Sequence, residues 1–242
     1  MPVRHRLRLQ AIAGRARMAG NHSDFGVMRR IPIAKQGLPY ILGITVLLIL
    51  LLFLGWTFLT VLAFILTVLV INFFRDPERV IPQVPHAVLS PADGKIIFVG
   101  PTFEDRFLSK ETLKISIFMS IFNVHVNRIP LSGEVESIHY EKGTFFAASL
   151  DKASHDNEHN AVVLRTPEDE KIVFVQIAGL IARRIDCRLQ PGERVQQGER
   201  FGMIRFGSRL DVFVPTNSHL AVSKGQHVKA GESILCYHPP KS

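Results

Sequence analysis

The stretch "GERVQQGERFGMIRFGSRLDVFVP", Gly192 to Pro215, carries most of what the chain says about its fold. Its first half sets two Gly-bounded turns around Val195, and its second half is two strand-length apolar runs separated by Gly207-Ser208 and flanked by Arg205 and Arg209. A two-residue hairpin would favour Asn-Gly or Asp-Gly at that break. A glycine inside a strand run marks a bulge or tight bend instead. The first half then recurs, because "GQHVKAGESI", Gly225 to Ile234, repeats G-x-x-V-x-x-G-E at an offset of 33 residues. "PLSGEVESI", Pro130 to Ile138, reads as a third and weaker copy.

Working outward, short runs rich in Val, Ile and Phe surround this stretch: "KIIFVG", "KISIFMSIFNVHV", "AVVLRT", "KIVFVQIAGLIA", "HLAVS" and "SILCY". Gly, Pro, Asp and Asn clusters separate them, which is a mainly β pattern. With the Gly-bounded echo it predicts a barrel or sandwich of short strands with lipoyl-like pseudo-repeats. A solenoid would need about three matching repeats. Only "GTFFAASLDKASHDNEH", residues 143–159, suggests a short helix or a long loop. Four prolines between residues 77 and 91 make the approach to the β region an extended linker. Cys187 and Cys236 lie in strand-like surroundings and read as buried free thiols.

The formal net charge of +8 is unevenly spread, since residues 1–35 hold eight Arg and Lys against the single acid Asp24. Clustered arginine can neutralise nucleic-acid phosphates, but the sequence that follows points elsewhere. From Gln36 to Phe74 no side chain is charged. One membrane crossing needs roughly 20 apolar residues, so this run is about twice as long as a single span requires, and Gly55-Trp56 falls near its middle. Two short membrane helices joined there return the chain to the side it left. The apolar core of a secretory signal is only about 7–15 residues with a small-residue cleavage site behind it, which "INFFRDPER" is not. The expected organisation is a basic arm over 1–37, a membrane hairpin over 38–74 and a β domain over 75–242. Positive residues stay cytoplasmic, so the arm and the β domain are expected on the cytoplasmic face of the cell (inner) membrane, with no nucleic-acid partner.

No phosphate-cradling loop, dinucleotide fingerprint or G-x-S-x-G elbow is present. His155 and His159 lie four apart with His125 and His139 elsewhere, but no H-E-x-x-H or finger spacing supports a metal, and none is expected. Three positions stand out. Asp93 in "SPADGK" could be a plain Asp-Gly turn. His125 alternates with Val124 and Val126, as a half-buried strand residue would, and Ser208 follows the glycine of the break.

Taken together, "FFRDPER", "SPADGKI", "FNVHVNRIPLSGEV", "DKASHDNEHN" and "GERFGMIRFGSRLDVFVP" resemble, in order, the motifs of the phosphatidylserine decarboxylase proenzymes of the short bacterial and archaeal type. The resemblance covers about residue 73 to the C-terminus and leaves out the basic arm. It implies self-cleavage between Gly207 and Ser208 into a β-chain of residues 1–207 and an α-chain of 208–242. Ser208 attacks the preceding carbonyl, and Gly207 offers no side chain to hinder it. The ester formed is broken by β-elimination, and the former serine ends as a covalent pyruvoyl cofactor. That group is then implied to form a Schiff base with phosphatidylserine and to take up the electrons left by CO2, giving phosphatidylethanolamine.

By the same resemblance Asp93 belongs to the self-cleavage machinery and His125 to the active site, with His125 as base on the hydroxyl and Asp93 orienting or stabilising it. Longer members carry a second histidine where this chain has Arg128, and Thr where it has Arg209. Arg209 could hold the substrate carboxylate or phosphate. Arg128, His155 and His159 complete the set of substrate-side candidates. Two rival functions stay open: decarboxylation of archaetidylserine, and a membrane-tethered adaptor built on a lipoyl-like barrel.

Overall fold

The computed structural model describes residues 32–143, 157–179, 184–205 and 208–238. Residues 1–31 of the expected basic arm fall outside the described residues. The chain enters through a 3-10 turn at Lys35–Gly37 and two apolar helices, α1 (Leu38–Phe53) and α2 (Thr57–Phe73). Pro39 sits in the first turn of α1, where its missing N–H costs nothing. Gly55 turns the chain between the helices at φ 69°. Thr45 and Thr67 return their hydroxyls to Ile41 O and Ala63 O, each at 2.7 Å, so the helices present hardly any free polar group. Lys35–Phe53 is long and apolar enough to cross a membrane, and α2 is a shorter apolar helix. Most of their large apolar side chains are exposed. The ends of the pair are tied together by a β-bridge between Ile33 and Arg75 and by Ala34 N–H donating to Phe74 O at 2.8 Å.

The rest is β structure. Strands β1 (Ala87–Leu89), β2 (Gly94–Glu104), β3 (Lys110–Met119), β4 (Val126–Arg128), β5 (Gly133–Glu141), β6 (His159–Arg165) and β7 (Lys171–Ala178) come first. They are followed by β8 (Ile185–Cys187), β9 (Arg194–Val195), β10 (Arg200–Ile204), β11 (Ser208–Pro215), β12 (His219–Leu220), β13 (His227–Val228) and β14 (Ile234–Tyr237). An eight-stranded antiparallel sheet runs β13-β2-β3-β11-β7-β6-β5-β9, and two three-stranded sheets, β1-β14-β12 and β4-β10-β8, pack with it. Between them lies the main core, which draws Ile96, Ile117, Leu164, Phe174, Leu210 and Val212 from the large sheet, Leu235 from one small sheet and Phe201 and Ile204 from the other. The expected mainly β architecture with helices ahead of it is the architecture observed. Both cysteines are free, Cys236 in the core and Cys187 half-buried. Burial pushes the Cys236 thiol up to about 12.

The Gly-bounded echo has a structural meaning. Gly192, Gly198, Gly225 and Gly231 all have φ between 73° and 94°. Their turns close alike, with Gly198 N–H donating to Ile129 O and Gly231 N–H to Ser90 O, each at 2.8 Å. Val195 and Val228 drop from the two copies into the same core, on the edge strands β9 and β13 that end the large sheet. The third copy is a correction. Gly133 opens β5 as Gly94 opens β2, and a Cβ at either would strike a backbone oxygen of the neighbouring strand, Arg165 O in the first case and Phe118 O in the second. "PLSGEV" therefore echoes "SPADGKI", not the turn pair.

A second correction concerns "KISIFMSIFNVHV". It reads as one run but holds β3, a turn at Ser120–Asn123 and the lead into β4, which belongs to a different sheet. The break at Gly207-Ser208 has a related origin. β10 pairs with β4 and β8, and β11 pairs with β3 and β7, so the chain changes sheets between Ile204 and Ser208.

Candidate active site

Ser208 is the first residue of β11, paired across to Met119 on one side and Ala178 on the other. The residue is fully buried, and its Oγ has no hydrogen-bond partner among the described residues. A buried hydroxyl left unbonded is costly, which singles out Ser208 as a candidate. Gly207 lies outside the described residues.

His125 is equally buried. Its Nδ1 lies 3.0 Å from Asn123 O, and since a carbonyl can only accept, Nδ1 carries the proton and Nε2 keeps its lone pair. Nε2 has no partner among the described residues. Burial lowers the His125 pKa from 6.5 to about 4, the bond to Asn123 O opposes that shift and the charge of Arg75 reinforces it. The ring is therefore a neutral base at physiological pH. It is covered by Phe73, the last residue of α2, at 4.2 Å between ring centroids. On the other side of the break Arg205 Nη1 donates to the hydroxyl of Tyr40 on α1 at 3.0 Å. Both ends of the helical pair thus touch segments that carry the candidate chemistry.

The histidine segment is fixed to the serine strand by a buried amide relay. Asn160 Nδ2 donates to Gln176 Oε1 at 3.1 Å and Gln176 Nε2 to Asn127 Oδ1 at 2.9 Å. Asn127 Nδ2 rests 3.8 Å from the sulfur of Met119, the cross-strand partner of Ser208. Asn127 is two residues from His125, so the relay locates the base against the strand that begins at the hydroxyl.

Asp93 stands at the foot of β2, one residue before Gly94. Its carboxylate accepts two bonds from Arg79 Nη2, at 3.0 and 2.8 Å, and one from Ala230 N–H at 2.8 Å. It makes no hydrogen bond to His125, whose orientation comes from Asn123. The coupling between Asp93 and His125 runs through charge. Asp93 acts on the charge of Arg75, and Arg75 acts on His125.

The substrate-side candidates separate from this group. Arg209 follows Ser208 on the strand and so points to the opposite face. There Nε donates to Asp211 Oδ1 at 2.6 Å and Nη2 to Ser116 Oγ at 2.9 Å, while Lys114 reaches Asp211 Oδ2 at 3.2 Å. Burial pushes the Asp211 carboxyl up, but the charges of Arg209 and Lys114 outweigh it and hold the pKa low. His159 shares that face, aligned with Arg209 through Ile177. Its Nδ1 donates to Asn157 O at 2.9 Å and its Nε2 accepts from Arg106 Nη1 at 3.1 Å. Arg128 donates to Gly198 O at 2.9 Å and Pro77 O at 3.0 Å, bracing the linker. Arg209 and Arg128, both expected on the substrate side, thus make buried bonds within the fold, Arg209 to a hydroxyl and a carboxylate and Arg128 to two carbonyls. His155 lies outside the described residues. Arg75, Arg79 and Asn123 carry weight that no local pattern assigned to them. The signal available was the charged "RDPER" standing directly behind an apolar run.

The family model for phosphatidylserine decarboxylase matches residues 66–236. The phosphatidylserine decarboxylase proenzyme of Desulfotalea psychrophila is 47% identical over 206 residues, covering 85% of this chain and 96% of its own. That of Syntrophus aciditrophicus is 49% identical over 205 residues, with 84% and 96% covered. That of Nitrosomonas eutropha is 48% identical over 204 residues, with 84% and 94% covered. The family match runs from the C-terminal half of α2 through the strand that opens at the buried serine, and with these relatives it shows that the chain belongs to the phosphatidylserine decarboxylase family.

Proposed function

We propose that this protein is a membrane-held phosphatidylserine decarboxylase made as a proenzyme, which cuts itself between Gly207 and Ser208. The observation that carries the reading is that Ser208 Oγ and His125 Nε2 are both buried and without a hydrogen-bond partner among the described residues. His125 takes the hydroxyl proton, and Ser208 Oγ forms a bond to the Gly207 carbonyl carbon as the Gly207-Ser208 C–N bond breaks. The resulting ester loses the Gly207 carboxylate by elimination across Cα–Cβ of residue 208. Water then displaces ammonia and leaves a two-carbonyl group at the head of the α-chain.

The residues fit that pyruvoyl group, since the hydroxyl that supplies it is buried and without a partner among the described residues, and β3 and β7 grip the strand behind it on both edges. When formed, it supplies a carbonyl that accepts the substrate amine and the electron pair released with CO2. Phe73 keeps water from the His125 ring. The amide relay from Asn160 to Asn127 holds the histidine segment as the chain is cut. The helical pair seats the body on the bilayer that contains the substrate, and the basic arm favours the cytoplasmic face of the cell membrane.

The mass of the purified protein under denaturing conditions tests the reading. Two chains are expected, residues 1–207 and 208–242, the shorter one refractory to Edman degradation because its N-terminus is a ketone. Ser208→Ala should give a single inactive chain. Active wild-type protein of undivided mass would overturn the proposal.

A further inference from the structure

We infer that Arg75 and the turn Ser120–Asn123 form a seat for a glycerophospholipid at the bilayer surface, the Arg75 guanidinium taking the phosphodiester while Ile121 and Phe122 lie among acyl chains. The inference rests on the membrane-held reading above and names the groups that receive the lipid.

Arg75 is the first charged residue behind α2. Its Nη1 donates to Asn72 O and its Nη2 to Phe122 O, each at 2.7 Å. Arg79, Arg128, Arg200 and Arg209 each have a carboxylate within ion-pair distance, but Arg75 has none among the described residues. A guanidinium has five N–H donors, so two carbonyl bonds leave enough for a forked grip on an anion. The group is half-buried, which strengthens such a grip, and its charge reaches His125. An anion held there lies next to the candidate chemistry.

The turn supplies the apolar half. It is stiff, because Asn123 N–H donates to Ser120 O at 2.9 Å and Asn123 Oδ1 accepts from Ser120 N–H at 2.9 Å and Ser120 Oγ at 2.8 Å. On it Ile121 and Phe122 are 45% and 64% exposed. Two large apolar side chains held rigidly outward cost free energy in water in proportion to their area. The bond from Arg75 to Phe122 O sets the turn level with the point where α2 ends, so its apolar tip continues the apolar surface of the helical pair. The bilayer is the occupant that this continuity selects.

Trp56 is the single tryptophan of the chain, so Phe122→Trp in a Trp56→Phe background gives a reporter on the turn. Bound to phosphatidylcholine and phosphatidylglycerol vesicles brominated high on the acyl chain, the introduced indole should have its emission quenched by the lipid and be shielded from aqueous iodide. An iodide-accessible reporter in a protein whose native Trp56 is quenched by the same vesicles overturns the inference and leaves the helical anchor standing. Loss of quenching at both positions overturns the anchor as well.

The second arm uses self-cleaved protein. Arg75→Gln should raise KM for vesicle-borne phosphatidylserine about tenfold, as loss of a charge-assisted pair does, with kcat nearly unchanged, and Arg75→Lys should recover most of it. A fall in kcat alone means that Arg75 acts only through His125, and the assignment fails. It fails equally if inorganic phosphate inhibits the wild type but not Arg75→Gln while KM for lipid is the same in both, since that marks a free-anion site.

Discussion

His125 binds a proton near pH 6.5 in the unfolded chain but only near pH 4 in the folded one, with burial the main cause. Between those values the unfolded state holds more protons, so folding stability is complete above about pH 6.5 and is lost as pH falls toward 4, by ~3 kcal/mol from this group. In the uncleaved Ser208→Ala protein, urea midpoints should drop across that window, and His125→Gln should flatten the drop. On the opposite face of β11, Asp211→Asn leaves Arg209 and Lys114 beside a neutral amide in a buried setting. A loss of about 3–5 kcal/mol is expected from breaking such a pair on one side, and thermal unfolding measures it. A double change of Arg209→Met with Asp211→Leu should cost less than Asp211→Asn alone. Ser208, His125 and Asp93 were singled out from motif order alone. The roles of Arg75 and Arg79 could not be read that way, because the bonds that define them reach Phe122 and Asp93 across the fold. That Arg209 points to the face opposite Ser208 was not legible either, because adjacent strand residues alternate and only the pairing register shows which face each takes.

Among the elements, the paired turns around Val195 and Val228 were legible because glycine at positive φ leaves a fixed spacing in sequence. They also permit a clean comparison. Gly192 and Gly198 have nearly the same φ, 84° and 83°, but a Cβ at Gly192 meets nothing within 4 Å whereas one at Gly198 meets Ile81 Cδ1 at 2.5 Å. Gly192→Ala should cost only the backbone strain, about 1–2 kcal/mol. Gly198→Ala should cost measurably more in the same denaturation assay, and equal losses would mean that the linker carrying Ile81 yields freely. The strand boundaries were less legible. Apolar runs do not announce which sheet they join, so β3 and the lead into β4 read as one strand, and the sheet change before Ser208 read only as a bend.

At the scale of the whole molecule, the helical pair and the β body share a small core in which Phe73 and Phe74 pack with Val124, Val126 and Met203. The helical pair is thereby part of the wall around His125 and not an appendage to it. The large sheet places β11 at its middle, with β3 on one edge and β7 on the other. If the chain is cut before Ser208 as proposed, the 35-residue piece holds that middle strand together with β12, β13 and β14. Folding of the intact precursor is a single-chain event, whereas rebuilding the mature protein from denaturant requires two separate chains to meet. Refolding yield of Ser208→Ala should be independent of concentration, and that of the matured protein should fall on dilution. Under the proposed cleavage, maturation would work as a ratchet: the cell would keep a form whose lifetime is set by how slowly the middle strand is released, not by an equilibrium it can revisit.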